Sequence, residues 1–382
     1  MPDTLTRSAT DRLISLDVFR GLTVAGMVLV NNPGSWTNIY WPLAHANWNG
    51  WTPTDLIFPF FLFIVGVSIT LALGRRLEDA HPEASPTRRS LYVKVARRSL
   101  IIFALGLFLN GFPYFHLGEI RIAGVLQRIA ICYFCAALIF LRTSIRTQVI
   151  ITVGLLLGYW LIMTLIPTPG FQRADYSQEG SIAAFVDRVV LGRHIWSQGK
   201  IYDPEGLLST LPAIATTLMG VLTGHGLRTD KSPYEKIARL FIAGFVCLVA
   251  GWCWNPFFPI NKSLWTSSYV LFTSGLALQS FALLYWLIDI RNHRGWTKPF
   301  LVFGVNAIVL FVGTGLMAKL MGLIKVSGSA GTKVSLKTWI YQGLFSSWAS
   351  PFNASLAFAI AFVLLWLGIM WLLYRRRIFI RI

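Results

Sequence analysis

Residues 31–61 read NNPGSWTNIYWPLAHANWNGWTPTDLIFPFF. An apolar run, Leu16 to Val30, leads into this stretch, and a second, Leu56 to Leu73, leads out of it. Between them stand two adjacent amides (Asn31 and Asn32), Trp36, Trp41, Trp48 and Trp51, a single histidine (His45), and Asp55 at the start of the second run. A short polar, Trp-rich interruption between two long apolar runs reads as a loop at one membrane surface held between two spanning helices. It is the one place where a generically hydrophobic chain becomes chemically specific.

Working outward, the same reading extends to the whole chain. Of 382 residues, 55% are hydrophobic and 13% charged, against about 25% charged in soluble domains. A membrane-crossing helix needs roughly 20 apolar residues, and about ten segments approach or meet that length. The expectation is an all-α polytopic membrane protein with about ten transmembrane helices and both termini cytoplasmic. The spans fall near 13–31, 53–73, 92–110, 122–140, 148–166, 208–227, 238–254, 266–289, 299–319 and 351–374. Residues 1–12 form a polar tail, 13–374 a single transmembrane domain, and 375–382 a basic cytoplasmic tail. The extracytoplasmic loops are 32–52 and 167–206. Phe185 to Leu191 has the pattern of a short amphipathic helix, and Tyr202 to Gly206 that of a turn.

The net charge of +18 does not point to nucleic acid. Arg75, Arg76, Arg88, Arg89, Arg142, Arg146, Arg228, Lys231, Arg291, Arg294 and Arg375 sit in short segments beside the apolar runs. That is how an excess of basic residues fixes cytoplasmic loops. The four cysteines (Cys132, Cys135, Cys247, Cys253) lie inside apolar runs without clustered partners, so no metal site is expected. No small-residue cleavage site follows the first run, which reads as a retained helix.

His45 is the foremost candidate for chemistry. A neutral imidazole accepts a proton from an attacking amine or hydroxyl near neutral pH, or accepts an acyl group itself; a loop histidine that only hydrogen-bonds its surroundings is the competing reading. Asp55 can hold an imidazole in one tautomer or pair with Arg121 or Arg128. Asn31 can donate to an oxyanion or simply end a helix. The tryptophans form either a sugar-stacking wall or an interfacial belt. Asp17 and Arg20 share a helix face and read as an ion pair or a functional group. Arg121 and Arg128 offer the bidentate geometry suited to phosphate, with Gln127 beside them. Asn306 is an isolated polar residue in the ninth span, either helix–helix glue or a ligand contact.

Six segments carry a family resemblance: RLISLDVFRGLTVAGMVLVNNPG (12–34), HANWNGWTPTDLIFPFFLFIVGVSI (45–69), RIAGVLQRIAICYF (121–134), YDPEGLLSTLPAI (202–214), NKSLWTSSYVL (261–271) and YRRRIFIRI (374–382). In order and spacing the chain resembles the heparan-α-glucosaminide N-acetyltransferase family, in the form of a bacterial inner-membrane member. The resemblance implies transfer of an acetyl group from cytosolic acetyl-CoA to the amine of a glucosamine-containing sugar on the periplasmic side. It implies His45, Asn31 and Asp55 as catalytic residues, and Arg20, Arg121, Gln127, Arg128 and Asn306 as the acetyl-CoA contacts. It further implies membrane lipid around the helices and a homodimer. Against the lysosomal pattern the chain lacks a long luminal N-terminal domain, carries Asn47 in place of Pro, and has a shorter 167–206 loop without paired Cys. These departures bear on the acceptor, not the fold. Ten helices alone also suit an amino-sugar or acyl-sugar transporter, which would move sugar without consuming a thioester.

Overall fold

A computed structural model describes residues 13–78, 85–199, 201–327 and 332–380. The tail 1–12, His81 and the last two residues of the basic terminus lie outside the described residues, as does the side chain of Arg88.

The chain folds as helices: α1 (Ile14–Asn31), α2 (Ile57–Glu78), α3 (Ser85–Gly111), α4 (Val125–Arg142), α5 (Ile145–Leu165), α6 (Ile182–Leu191), α7 (Thr210–Leu227), α8 (Pro233–Trp254), α9 (Ser267–Leu284), α10 (Lys298–Val305) and α11 (Ala307–Leu323). After them come a small antiparallel hairpin, β1 (Lys325–Ser327) and β2 (Lys333–Ser335), then α12 (Leu336–Leu344) and α13 (Pro351–Arg375). Among the described residues, seven helices are long and apolar enough to cross a membrane: α1, Pro53–Leu77, α4, α5, α8, Ser267–Ile290 and α13. The pair α10–α11 supplies an eighth if counted as one span. The protein is a multi-pass membrane protein. The remaining two expected spans correspond to α3, which opens with several basic residues, and α7, which is rich in Thr and Gly and largely buried among its neighbours.

Packing follows from small residues. In hydrocarbon, apolar side chains gain little by leaving lipid for protein, so helices associate where backbones approach closely. Gly66 on α2 and Gly220 on α7 face each other, and a Cβ on either would collide with the other helix's backbone at Thr217 or Phe63. The pairs α1 with α10 and α8 with α9 approach in the same way, at Gly21 against Phe300 and Gly244 against Gly275, and α3 packs on α4.

Two expectations are corrected. The second and third spans, expected at 53–73 and 92–110, are longer, since α2 runs on to Glu78 and α3 already begins at Ser85. The ninth span is not continuous: α10 and α11 meet at 82°. Asn306 sits at that break, where its side-chain amide donates to the carbonyl of Ile378 and accepts from the N–H of Ile380, both at 3.0 Å. It therefore clamps the C-terminal segment against the break. The stretch between α11 and α13 carries the hairpin and α12.

Candidate active site

Three loops converge at one end of the bundle: 32–56, 166–209 and 255–266. The Trp48 indole donates to Tyr176 O at 2.8 Å, and its ring meets Tyr202 edge-on at 5.0 Å. Gly50 N–H donates to Ile260 O at 2.7 Å, and the Asn261 amide donates to Asn49 Oδ1 at 3.1 Å. These bonds splice the HANWNG segment to the loop that carries Lys262.

His45 is held from both sides. The carbonyl of Ala44 accepts from the Thr52 hydroxyl at 2.6 Å, and the N–H of Ala46 donates to Asp55 Oδ2 at 3.0 Å. Thr52 and Asp55 form a capping box around the turn Pro53–Leu56, with Thr52 N–H donating to Asp55 Oδ2 at 3.0 Å. Pro at the first position suits such a turn, since its missing N–H has no helical partner there. Pro59 has a further consequence. It cannot donate to the carbonyl four residues back, and that carbonyl, Asp55 O, accepts instead from the buried Tyr269 hydroxyl at 2.5 Å. The main chain of Asp55 is thus anchored to α9 through the vacancy that Pro59 leaves.

Asp55 pairs with neither arginine. Its Oδ1 lies 2.6 Å from His45 Nδ1, and its side chain is 1% exposed where that of His45 is 50% exposed. With Oδ2 engaged by N–H donors, Oδ1 accepts the Nδ1–H of His45. This fixes the tautomer that leaves the Nε2 lone pair free. Lys262 completes the cluster, with Nζ 2.9 Å from His45 Nδ1, 3.3 Å from Nε2 and 3.4 Å from Asp55 Oδ1. Burial pushes the Lys262 ammonium below the usual lysine range, opposed by the Asp55 and Glu205 carboxylates.

Beside this cluster, Arg121 donates to Asp203 from Nε at 2.9 Å and from Nη2 at 2.5 Å, and to Glu205 at 2.5 Å. Burial works against its charge, but the two carboxylates outweigh that and raise its pKa. Arg121 is therefore engaged by protein.

His45, Asp55, Lys262 and Arg121 all open onto one cavity of about 1200 Å³. Asn31 and Arg20 line it as well, and Arg20 also bonds Ser68 at 3.1 Å and lies 3.4 Å from Asp17. At its far end the cavity is lined by Arg76, Lys94, Arg97 and Arg98. The rise of 1.5 Å per helical residue places Arg76 about 30 Å from Asp55 along α2. Between the two ends the wall is largely apolar, with Val65, Ile69, Ile101, Ile102, Ile308 and Phe311, interrupted by Thr23, Ser68 and Arg20.

The other expected donor contacts lie in the surrounding structure. Arg128 is 1% exposed; it bonds Gly206 O at 3.0 Å and Ser209 Oγ at 2.5 Å and lies over Trp265. The buried Gln127 side chain has no hydrogen-bond partner among the described residues, and Asn306 holds the C-terminal segment. None of these three side chains lines the cavity, although the neighbours of Asn306, Val305 and Ala307, do. The tryptophans divide: Trp48 lines the cavity, Trp51 packs on Phe272, and Trp36 and Trp41 are exposed.

Sequence reasoning missed two groups. Lys262 stands in the segment NKSLWTSSYVL with nothing local to mark it. Lys94, Arg97 and Arg98 share one face of α3 with Ile101 and Ile102, a spacing of three and four that the sequence does display. They were overlooked because they belong to a run of basic residues that topology alone explains.

A sequence model described as "Heparan-alpha-glucosaminide N-acetyltransferase, catalytic" matches residues 12–232, more than half the chain. This chain belongs to the heparan-alpha-glucosaminide N-acetyltransferase family. It is 31% identical over 360 residues to the human protein of that name, covering 79% of this chain and 52% of the human one. To the mouse protein of that name it is 32% identical over 365 residues, with 80% and 54% coverage. The chain spans about half the length of these curated relatives. The segment matching the family model carries His45, Asp55, the α3 cations and Arg121, while Lys262 lies beyond it.

Proposed function

We propose that this protein is a transmembrane N-acetyltransferase. It takes the acetyl group of cytosolic acetyl-CoA to the amine of a glucosamine-containing sugar on the periplasmic side of a bacterial inner membrane. The observation that carries this reading is the single cavity with a histidine–aspartate pair at one end and a cluster of cations at the other. Coenzyme A is a long donor with an anionic nucleotide at one end and a thioester at the other. Arg76, Lys94, Arg97 and Arg98 suit its phosphates. The apolar wall suits its thin pantetheine arm, and the positive-inside tendency assigns the cationic end to the cytoplasm. At the other end Trp48, Trp196, Tyr202 and Glu205 line the cavity, which suits a sugar ring bearing an amine.

The chemistry then follows from the tautomer. The neutral amine of the acceptor attacks the thioester carbonyl carbon, and Nε2 of His45 takes the proton that the nitrogen loses. The C–N bond forms, the C–S bond breaks, and coenzyme A leaves as the thiolate, which recovers the proton. Asp55 holds the imidazole and stabilises its charged form, and Asn31 faces the same space as an oxyanion donor.

Membranes containing the protein, given labelled acetyl-CoA and glucosamine, are expected to form N-acetylglucosamine. His45→Ala is expected to lower turnover by about 10³-fold or more while acetyl-CoA binding persists. Equal transfer by both would remove His45 from the reaction. Movement of labelled glucosamine without consumption of the thioester would replace the enzyme reading with a transporter.

A further inference from the structure

The function proposed above uses His45, Asp55 and Asn31, yet the nearest charged group to His45 besides Asp55 is Lys262. We infer that Lys262 is a further catalytic residue, whose ammonium binds the oxyanion that forms on the thioester carbonyl. The inference rests on the acetyltransferase reading.

Position is the first argument. An atom on the lone-pair axis of Nε2 would stand much farther from Nδ1 than from Nε2. Lys262 Nζ is 3.3 Å from Nε2 and 2.9 Å from Nδ1, so it lies beside the ring and leaves that axis open. An amine whose proton points at Nε2 brings the carbonyl carbon it attacks, and the oxygen on that carbon, into the space beside the imidazole. Lys262 lines the cavity there.

Charge is the second argument. With His45 neutral, the Asp55 carboxylate and the Lys262 ammonium, 3.4 Å apart, leave the trio neutral. When His45 takes the proton the trio gains one positive charge, and the tetrahedral intermediate gains one negative charge on oxygen. The two appear together, so the site is balanced at the step where charge develops. A cation already held in place is effective there because it need not reorganise.

Bracing is the third. The loop bearing Lys262 is closed by Leu264 N–H to Asn261 Oδ1 at 2.9 Å and Trp265 N–H to Lys262 O at 3.0 Å. The bonds Asn261–Asn49 and Gly50–Ile260 tie it to the His45 segment. Such bracing fixes where the ammonium stands.

The test compares steady-state kinetics of purified wild type, Lys262→Met and Lys262→Cys, with acetyl-CoA binding by calorimetry and thermal melts on each. Removing one oxyanion donor is expected to lower kcat by about 10²–10³-fold, with KM for acetyl-CoA within about threefold. Alkylation of Lys262→Cys with bromoethylamine rebuilds an ammonium of nearly the same reach and is expected to restore turnover, with alkylated wild type as control. Turnover of Lys262→Met within about fivefold of wild type would overturn the inference, as would a loss carried by KM or a Lys262→Cys variant that alkylation does not rescue. Should Lys262→Met not fold, the Cys variant and its rescue decide alone. No transfer by the wild type would instead count against the acetyltransferase reading itself.

Discussion

The two ends of the cavity are charged in opposite ways. At the His45 end every charge has a protein partner: Asp55 holds His45 and Lys262, and Arg121 holds Asp203 and Glu205. At the other end Arg76, Lys94, Arg97 and Arg98 form no ion pair among the described residues. Paired charges fix geometry, because moving one strands the other. Unpaired cations at a cavity mouth are available to an anion that arrives from outside. The difference separates a place built to hold atoms still from a place built to receive a charged ligand.

The comparison breaks most visibly at Arg121. If its guanidinium serves the protein, Arg121→Met strands the side chains of Asp203 and Glu205, which are 0% and 10% exposed. Loss of one partner from a buried pair costs about 3–5 kcal/mol, so the expected outcome is a large drop in melting temperature of the purified protein. If Arg121 instead binds donor phosphate directly, the variant keeps its stability and loses acetyl-CoA affinity. A thermal melt read beside a binding isotherm separates the two.

How much of this was legible in the sequence depends on what each feature rests on. The membrane spans and the His45 loop rest on composition and local pattern, which a sequence states openly. The pairing of His45 with Asp55 was one of two options, because the turn Pro53–Leu56 brings residue 55 back to residue 45 only once the Thr52 capping box has formed. Lys262 was not legible, since the bonds from Asn261 to Asn49 and from Gly50 to Ile260 join segments more than 200 positions apart. The 82° break at Asn306 was hidden for another reason: apart from Asn306 the run around it is apolar, and the segment its side chain holds lies 72 positions away. Arg128 has its partner far along the chain, since it binds the turn before α7, 78 positions away, which no local pattern states.

A smaller effect belongs to Asp187 on α6, which lies behind the Arg121 cluster. Its carboxylate accepts from Leu207 N–H at 2.8 Å and Asp203 N–H at 3.4 Å. Burial, with Asp203 nearby, pushes its pKa up from 3.8 to about 6. The folded protein therefore keeps this proton to higher pH than the unfolded chain does. The resulting stability is full below the ordinary carboxylate pKa and is lost as pH rises through about 6, a change on the order of 3 kcal/mol at most. Melting temperature in detergent is expected to be higher at pH 5 than at pH 7.5. Asp187→Asn should flatten that dependence; an unchanged slope would show that another group titrates.

The cationic end sharpens the comparison with the smallest expected effect. Arg97→Ala with Arg98→Ala removes two cations of α3 that form no ion pair among the described residues, Arg98 lying over the Tyr133 ring at 5.0 Å, so stability should stay near wild type. KM for acetyl-CoA is expected to rise about tenfold, equivalent to about 1.4 kcal/mol, with kcat unchanged, because these groups act far from the reacting carbonyl. Added salt should weaken donor binding by the wild type more than by the variant, since screening acts on charges that face solvent. Dephospho-CoA carrying an acetyl group locates the contact. If the pair holds the 3′-phosphate, removing that phosphate and removing the arginines should cost the same and should not add, which a double-mutant cycle reads directly. Additive losses would place the arginines on the pyrophosphate instead. A change in kcat alone would mean that the two ends of the cavity are not divided between binding and chemistry.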